Sequence, residues 1–455
     1  MKPNIFLLVI DSFRSDKFFS NPNIKKPNID FLISEGTYFS QTISSADATL
    51  LSWSSIFTGL YPFKTGIRSE NFNKLDPNIP TLFTILEKFN YNFYSHVMKI
   101  GNIIGLFPKF KNNDSFYDLY KNLHEGKGKL LTEKIFKFLD HNYNNPWFYF
   151  LHLYDLHDPV LVPKSFNNSM NGVSSYDRQI FAIDSWLGEL IKKINFENTL
   201  LIITSDHGKY DKTITGKKIL NFEHNMKIEK FISNVASYTP KFLEPSKNKI
   251  FLYIESILQR KKEKNIEKLN LSEHEKISLS SGKLDLEHFL YDDKIRVPLL
   301  INGYGVVKNK IISQLTRSVD ILPTILDITG NEIPNQVFDG QSLKPLLFDK
   351  PVEEKPVYIE SNPLLMLKSK DVIGIRTSKF KYFRDKDNPK NRTYLFDLEN
   401  DKKEITNLAD VKPEIVKEME HILEKILENP GDIKQESNNN ETKIIEDTLK
   451  RLGYM

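Results

Sequence analysis

Three apolar runs in this chain end on side chains able to do chemistry. Asp11 follows Asn4–Ile10, Asp155 and His157 follow Trp147–Tyr154, and Asp206-His207-Gly208 follows Asn198–Thr204. Adjacent Asp and His with a permissive glycine form a compact pair of hard and borderline ligands suited to a divalent cation. A carboxylate and an imidazole two residues apart at a strand end point the same way, so Asp155 and His157 can converge on one metal or phosphate. Asp155 and Pro159 equally suit a turn, and a helix N-cap at Asp11 or Ser12 is the lesser alternative to a ligand there. A fourth stretch, Ser45–Gly66, reads SADATLLSWSSIFTGLYPFKTG: small and hydroxyl residues, then a helix-compatible apolar segment. Unpaired backbone N–H groups and the helix dipole favour an anionic substrate at such a start, and Thr49 is the hydroxyl placed for nucleophilic attack there.

The elements that must position these groups follow from periodicity. Asn4–Ile10 and Asn198–Thr204 have the continuous apolar character of buried parallel strands, and Trp147–Tyr154 is strongly β-prone. In open α/β sheets the carboxyl ends of the strands are where ligands bind. Pro80–Phe89 reads as a helix, Asn92–Val97 as a strand and Pro413–Leu427 as an amphipathic helix. Asn429–Asn440 is a Gly-, Asn- and Glu-rich connector.

These segments, in this order, resemble the sulfatase branch of the alkaline phosphatase superfamily. Thr58-Gly59-Leu60-Tyr61-Pro62 matches its T-G-x-Y-P, which puts Ser52 at the motif serine and Thr49 at the nucleophile. Asn4–Asp11 matches the first strand and first metal carboxylate, Lys26–Leu32 a scaffold helix, Asp155–Pro159 the substrate-histidine segment, and Thr204–Gly208 the T-S-D-H-G. Leu286–Ile301 matches a segment whose histidine, here His288, faces the substrate or a second metal; alone it reads as a helix-surface residue. Ser318–Gly330, Asp339–Leu347, Gly374–Phe383 and Tyr394–Asp401 match packing signatures, and the C-terminus resembles a terminal R-L-x-x-L-G-Y helix. Ser12 stands where relatives have a second aspartate, Leu51 and Trp53 where they have proline and arginine, and Thr65 where they often have histidine. Lys99 falls near a lysine of the family's active site and is not counted among the site residues.

The resemblance implies a three-layer α/β/α sandwich of the alkaline phosphatase type, with a mostly parallel central sheet and a small C-terminal antiparallel sheet. Residues 1–350 would form the catalytic domain, with a helical insertion at about 209–285. Residues 351–428 would form the small-sheet subdomain, and 429–455 a linker and terminal helix. It also implies a divalent cation (Ca, Mg, Mn or Zn) held by Asp11, Thr49, Asp206 and His207, with Ser12 and Asp155 as further candidates. Thr49, His157 and His288 would be the catalytic residues.

Sulfatases oxidise a Cys, or less often a Ser, to formylglycine at the nucleophile position; oxidation of Thr49 would yield a ketone. The expected reaction is therefore hydrolysis of a phosphate or phosphonate ester through covalent Thr49, on a substrate that is glycan- or lipid-head-group-linked. The alternatives are a sulfate-ester hydrolase working without formylglycine, and a non-catalytic binding protein on the same scaffold.

Composition bounds the rest. The 455 residues carry 63 Lys and Arg against 59 Asp and Glu, a balance that gives no argument for nucleic acid or a membrane surface. With no cysteine, disulfides, thiolate metal sites and cysteine nucleophiles are excluded. Ile5–Ile10 is too short for a signal segment and no run approaches the ~20 apolar residues of a span, so a cytoplasmic protein without an integral membrane segment is expected. Residues 209–283 hold 16 Lys and Arg against 9 Asp and Glu. This interval, with helices expected near Met226–Ser237 and Ile250–Lys264, reads as a lid over the site or, alternatively, a homo-oligomer contact.

Overall fold

The computed structural model describes residues 2–428, apart from 20, 22–23, 68–73, 99, 118, 142, 211–212, 215–219, 222–256, 258–259, 282–287, 333–337 and 362–370. Lys99, the expected helix near Met226–Ser237, most of that near Ile250–Lys264, the connector and the terminal helix lie outside the described residues; 260–267 are helical.

Asn4–Ile10 (β1) lies inside an eight-stranded sheet. The other strands are Gly36–Ile43 (β2), Asn92–Met98 (β3), Phe116–Tyr117 (β4), Trp147–Leu153 (β5), Thr199–Thr204 (β6), Arg296–Gly303 (β9) and Lys310–Arg317 (β10). Two short strands, Thr213–Ile214 (β7) and Leu220–Asn221 (β8), pair with each other outside the sheet. The order is β10-β2-β9-β6-β1-β5-β3-β4, and β9 alone runs antiparallel to its neighbours. Every residue of β5 and β6 is buried, as is all of β1 but its first, which is why these strands read as unbroken apolar runs rather than alternating ones.

Alternation still governs which face each side chain joins. Ile5, Leu7 and Val9 pack with Phe148, Phe150, Leu200 and Ile202 under the helices Thr49–Thr58, Leu82–Glu87 and Ile321–Ile328. Phe6, Leu8 and Ile10 pack on the opposite face, under Pro27–Ser34, Gly126–Leu139 and Ser175–Ile191. The result is helix on both faces of one mostly parallel sheet, as expected. Each fully buried Leu, Ile or Phe there contributes about 1.5–3 kcal/mol by leaving water.

A second sheet, Val357–Glu360 (β11), Val372–Arg376 (β12), Phe380–Asp385 (β13) and Tyr394–Asp397 (β14), is antiparallel throughout. This is the small C-terminal antiparallel sheet that the resemblance implies, with four strands among the described residues. The amphipathic helix Pro413–Leu427 buries Met419 and Leu423 against Tyr382 and Leu395. A buried lysine joins this sheet to the main body: Lys381 Nζ lies 2.5 Å from Asp292 and 2.6 Å from Glu404. No helix among the described residues is long and apolar enough to cross a membrane.

Candidate active site and metal centre

The carboxyl ends of β1 and β6, two adjacent parallel strands, deliver the first ligands. Register pairs Val9 with both His152 and Thr204, so Asp11, His152 and Asp206 fall on one face of the sheet, the face covered by the Thr49–Thr58 helix. Asp11, Asp206 and His207 each present a ligand atom, all within 4.8 Å of one another. Thr49 Oγ1 lies 3.4 Å from His207 Nε2.

Local hydrogen bonds explain how these side chains are aimed. Ser12 turns the chain at φ 61°, donates its hydroxyl to Asp11 Oδ1 (2.6 Å) and its N–H to Asp206 Oδ1 (3.2 Å). The His207 N–H also goes to Asp206 Oδ1, at 2.8 Å. Ser205 Oγ donates to Ile10 O (2.6 Å) and accepts from the Phe13 N–H (2.9 Å), locking the two strand ends together. His207 Nδ1 faces the Gly208 carbonyl at 2.8 Å, and since a carbonyl only accepts, the proton is on Nδ1 and the lone pair on Nε2 faces Thr49. Gly208 is required for this turn: a Cβ there would stand 2.1 Å from Asp293 O, and its N–H donates to Lys294 O at 2.7 Å.

Thr49 is the first residue of its helix. Ala48, the N-cap, offers no side-chain cap, so the first-turn N–H groups have no side-chain acceptor from it. Ser44 Oγ donates to Asp206 O (2.6 Å) and accepts from Ser52 Oγ (2.9 Å), which also lies 3.1 Å from Ala46 O, so the motif serine ties the helix to the end of β6. Gly59 ends the helix at φ 69°, and its carbonyl accepts from the N–H groups of Asp339 and Gly340.

The residues fit a divalent cation. Asp11 Oδ2 and Asp206 Oδ2 are both buried and have no hydrogen-bond partner, an expensive state for two neighbouring carboxylates unless positive charge stands between them. Burial opposes charge on His207, yet Asp206 and Asp11 together raise its pKa. Burial would also raise Asp206, but His207 and His152 hold it well below the ordinary carboxylate range. Both shifts come from carboxylates and imidazoles held close together out of water.

Other expected site residues take different places. Asp155 lies outside the cluster: its oxygens accept from Tyr120 OH (2.6 Å), Leu123 N–H (3.0 Å) and Gln179 Nε2 (2.8 Å), and burial pushes its pKa up to about 6. Those three donors, not a metal, satisfy it. Ser12 Oγ, which donates to Asp11 Oδ1, stands at the turn directly after that carboxylate. His157 donates Nδ1–H to Asp158 O (2.8 Å) and stacks on Tyr154 at 4.2 Å; burial lowers its pKa, with Asp11 acting against that. His288 is buried, and burial pushes its pKa down to about 4 despite the nearby Asp47.

Several residues at the site were not legible in the sequence. His152 is fully buried, 3.7 Å from Asp11 Oδ2 and 3.7 Å from Asp206 Oδ2 through Nε2. Lys209 bonds Asp158 Oδ1 (2.6 Å), and Lys294 pairs with Asp47, two residues before Thr49. Only the polarity of His152 inside an apolar strand signalled it.

A fold of this order, with a hydroxyl and a metal-type cluster at the strand ends, defines an ester hydrolase of the alkaline phosphatase type. The sulfatase family model matches residues 3–331, and the chain belongs to that family. A second model, for the C-terminal region of N-sulphoglucosamine sulphohydrolase, matches residues 283–429. Among curated proteins the chain is 26% identical to arylsulfatase K of Mus musculus, covering 94% of this chain and 80% of that protein. It is 24% identical to an arylsulfatase of Clostridium perfringens, covering 94% of each. The fold is similar to the phosphonate monoester hydrolase of Agrobacterium radiobacter (TM-score 0.66, 16% identity, 94% and 96% covered). It is also similar to a protein solved with its substrate D-glucosamine-2-N,6-O-disulfate (TM-score 0.60, 15% identity, 100% and 99% covered).

Proposed function

We propose that this chain hydrolyses a phosphate or phosphonate ester, with the Thr49 hydroxyl attacking phosphorus. The observation that carries the reading is the placement of Thr49 Oγ1, at a helix N-terminus and 3.4 Å from His207 Nε2 in the Asp11–Asp206–His207 cluster. A divalent cation bound by those residues would supply Lewis acidity, lowering a hydroxyl pKa and offsetting charge on a substrate oxygen. Thr49 Oγ then forms a bond to phosphorus while the bond to the ester oxygen breaks, and the leaving alcohol takes up a proton. Water attacks phosphorus in the Thr49 adduct, releases phosphate from a phosphate ester or the phosphonate from a phosphonate ester, and restores the hydroxyl. His157, with Nδ1 committed to a carbonyl and its pKa lowered, serves at Nε2 as the proton acceptor for that water. First-turn N–H groups of the Thr49 helix receive the oxyanion.

Sulfate-ester hydrolysis is the second reading, favoured by the arylsulfatase relatives. On this chain it would proceed without formylglycine, because a secondary alcohol gives no aldehyde. Sugar-linked substrates belong to this reading, since the disulfated glucosamine bound by one structural neighbour is a sugar sulfate. A purely binding role is disfavoured by the retained cluster and the hydroxyl beside it.

The test is a panel of nitrophenyl phosphate mono- and diesters, phenylphosphonate ester and sulfate, run on metal-loaded protein with acid quench and peptide mapping. Turnover of a phosphorus ester with a phosphoryl group on Thr49 is expected. Turnover of the sulfate ester alone would put the second reading in its place.

A further inference from the structure

A polar cavity of about 290 Å³ lies where β2, β9 and β10 of the main sheet meet the small C-terminal sheet, and it shares no lining residue with the strand-end cluster. The strands are irregular there. β2 loses register with β9 between Phe39 and Thr42, and β10 loses register with β2 between Ile312 and Leu315. These irregular stretches carry Gln41 and Ser313, both of which line the cavity. Bulges of this kind re-aim side chains and gather beside functional sites. Ser378, from the turn between β12 and β13, faces them from the second sheet.

Arg296, Arg376 and Lys402 bring three positive charges to this cavity, against the single carboxylate of Asp292. That carboxylate is already engaged: its Oδ1 lies 2.5 Å from Lys381 Nζ, and burial, which opposes its charge, is outweighed by Lys381, Arg376 and Arg296. Both guanidinium groups stand near its Oδ2, Arg376 Nη2 at 3.5 Å and Arg296 Nη1 at 3.9 Å, each longer than an N–H···O hydrogen bond. Glu404 lies beyond Lys381 at 2.6 Å and Glu354 accepts from the Leu315 N–H at 3.2 Å; neither lines the cavity. Arg376 is only 3% exposed. Its Nη1 donates to Thr377 O (2.6 Å) and its Nη2 to Gln41 Oε1 (3.1 Å), but its Nε is buried without an acceptor. Buried N–H groups are nearly always paired, so this one calls for an acceptor.

We propose that this cavity binds a tetrahedral oxyanion, a sulfate or phosphate group, through Arg296, Arg376 and Lys402, with Gln41, Ser313 and Ser378 as further donors. Such a group only accepts hydrogen bonds, which suits guanidinium, ammonium, amide and hydroxyl donors, and its charge meets the surplus that Asp292 leaves. The volume stands at the lower end of small-ligand sites and suits one such group rather than a cofactor. The site is independent of the reaction proposed above, because none of Asp11, Thr49, Asp206 and His207 belongs to it.

Inorganic sulfate and phosphate are titrated calorimetrically into the metal-loaded full chain. Saturable binding is expected, and in the double variant Arg296→Gln, Lys402→Gln one class of site should weaken by ~10-fold or more, the loss of a charge-assisted hydrogen bond. The same class should persist in Asp206→Asn, which alters the strand-end cluster instead. Crystals soaked in selenate, a tetrahedral stand-in located by its anomalous scattering, should show the ion within hydrogen-bond distance of Arg376. Glucose 6-sulfate and glucose 6-phosphate separate the two sources of such a group: binding tighter than that of the inorganic ions assigns the site to an esterified sugar, and equal or weaker binding assigns it to the free ion. Wild-type affinity in the double variant, selenate at the strand-end cluster alone, or no anion binding by the wild type would each overturn the proposal. If the double variant does not fold, the selenate position decides.

Discussion

Thr49 Oγ1 and His207 Nε2 lie 3.4 Å apart across 158 residues of chain. One comes from the first turn of a helix on the sheet face, the other from the residue after a strand-end aspartate. The contact exists because Ser44 and Ser52 tie that helix to the carbonyl of Asp206. Replacing Thr49 with Ala should therefore lower kcat by about 10³-fold or more while leaving the melting temperature unchanged, and Thr49→Ser should keep part of the rate. Near wild-type turnover by the alanine variant on the best ester would remove Thr49 from the reaction.

Metal removal should be visible in stability as well as in rate. A cation present at 100 times its Kd stabilises the folded chain by about 2.7 kcal/mol, so chelator should lower the melting temperature and abolish turnover together. In Asp206→Asn the chelator-sensitive increment should vanish, because one of the two unsatisfied carboxylate oxygens is gone. Calorimetry with and without chelator on both proteins decides it; an equal shift in the two would contradict the ligand role.

Acid should unfold this protein partly through His96. Burial pushes its pKa down to about 4, although Asp114 acts against the shift. A histidine whose folded pKa is lowered contributes stability that is fully present above the unfolded value near 6.5 and is lost as pH falls from there towards 4, about 3 kcal/mol in all. Urea unfolding across that interval should show a shallower pH slope for His96→Gln than for wild type. Identical slopes would mean that His96 does not control it.

Gly208→Ala tests the turn beneath His207. The added methyl would stand 2.1 Å from the main-chain oxygen of Asp293, which has no flexible end to move aside. A loss of about 1–3 kcal/mol is expected, with weaker metal binding because His207 is displaced. A variant as stable and as tightly metallated as wild type would show that the turn yields freely.

The sheet and its strand-end carboxylates were readable because β1, β5 and β6 are buried on both faces and so appear as unbroken apolar runs. The same property hid His152, which inside Trp147–Leu153 reads as one more core position. Its place beside the strand-end carboxylates becomes visible only when register pairs Val9 with both His152 and Thr204, and register between strands far apart in sequence is a tertiary property. Asp155 was legible as a polar strand end but not as the acceptor for Tyr120, Leu123 and Gln179, because those donors arrive from 24 to 35 residues away.

The hydrogen bond from Gly208 N–H to Lys294 O joins the chain where it leaves the metal strand to the chain where it returns. Arg14 reinforces the closure through Asp293, at 2.7 Å. Among the described residues the stretch between holds β7, β8 and the helical residues 260–267, and because its ends are already clasped, lengthening it adds closure entropy only logarithmically. Residues can thus be added to or removed from that excursion at small entropic cost while the strand ends stay put.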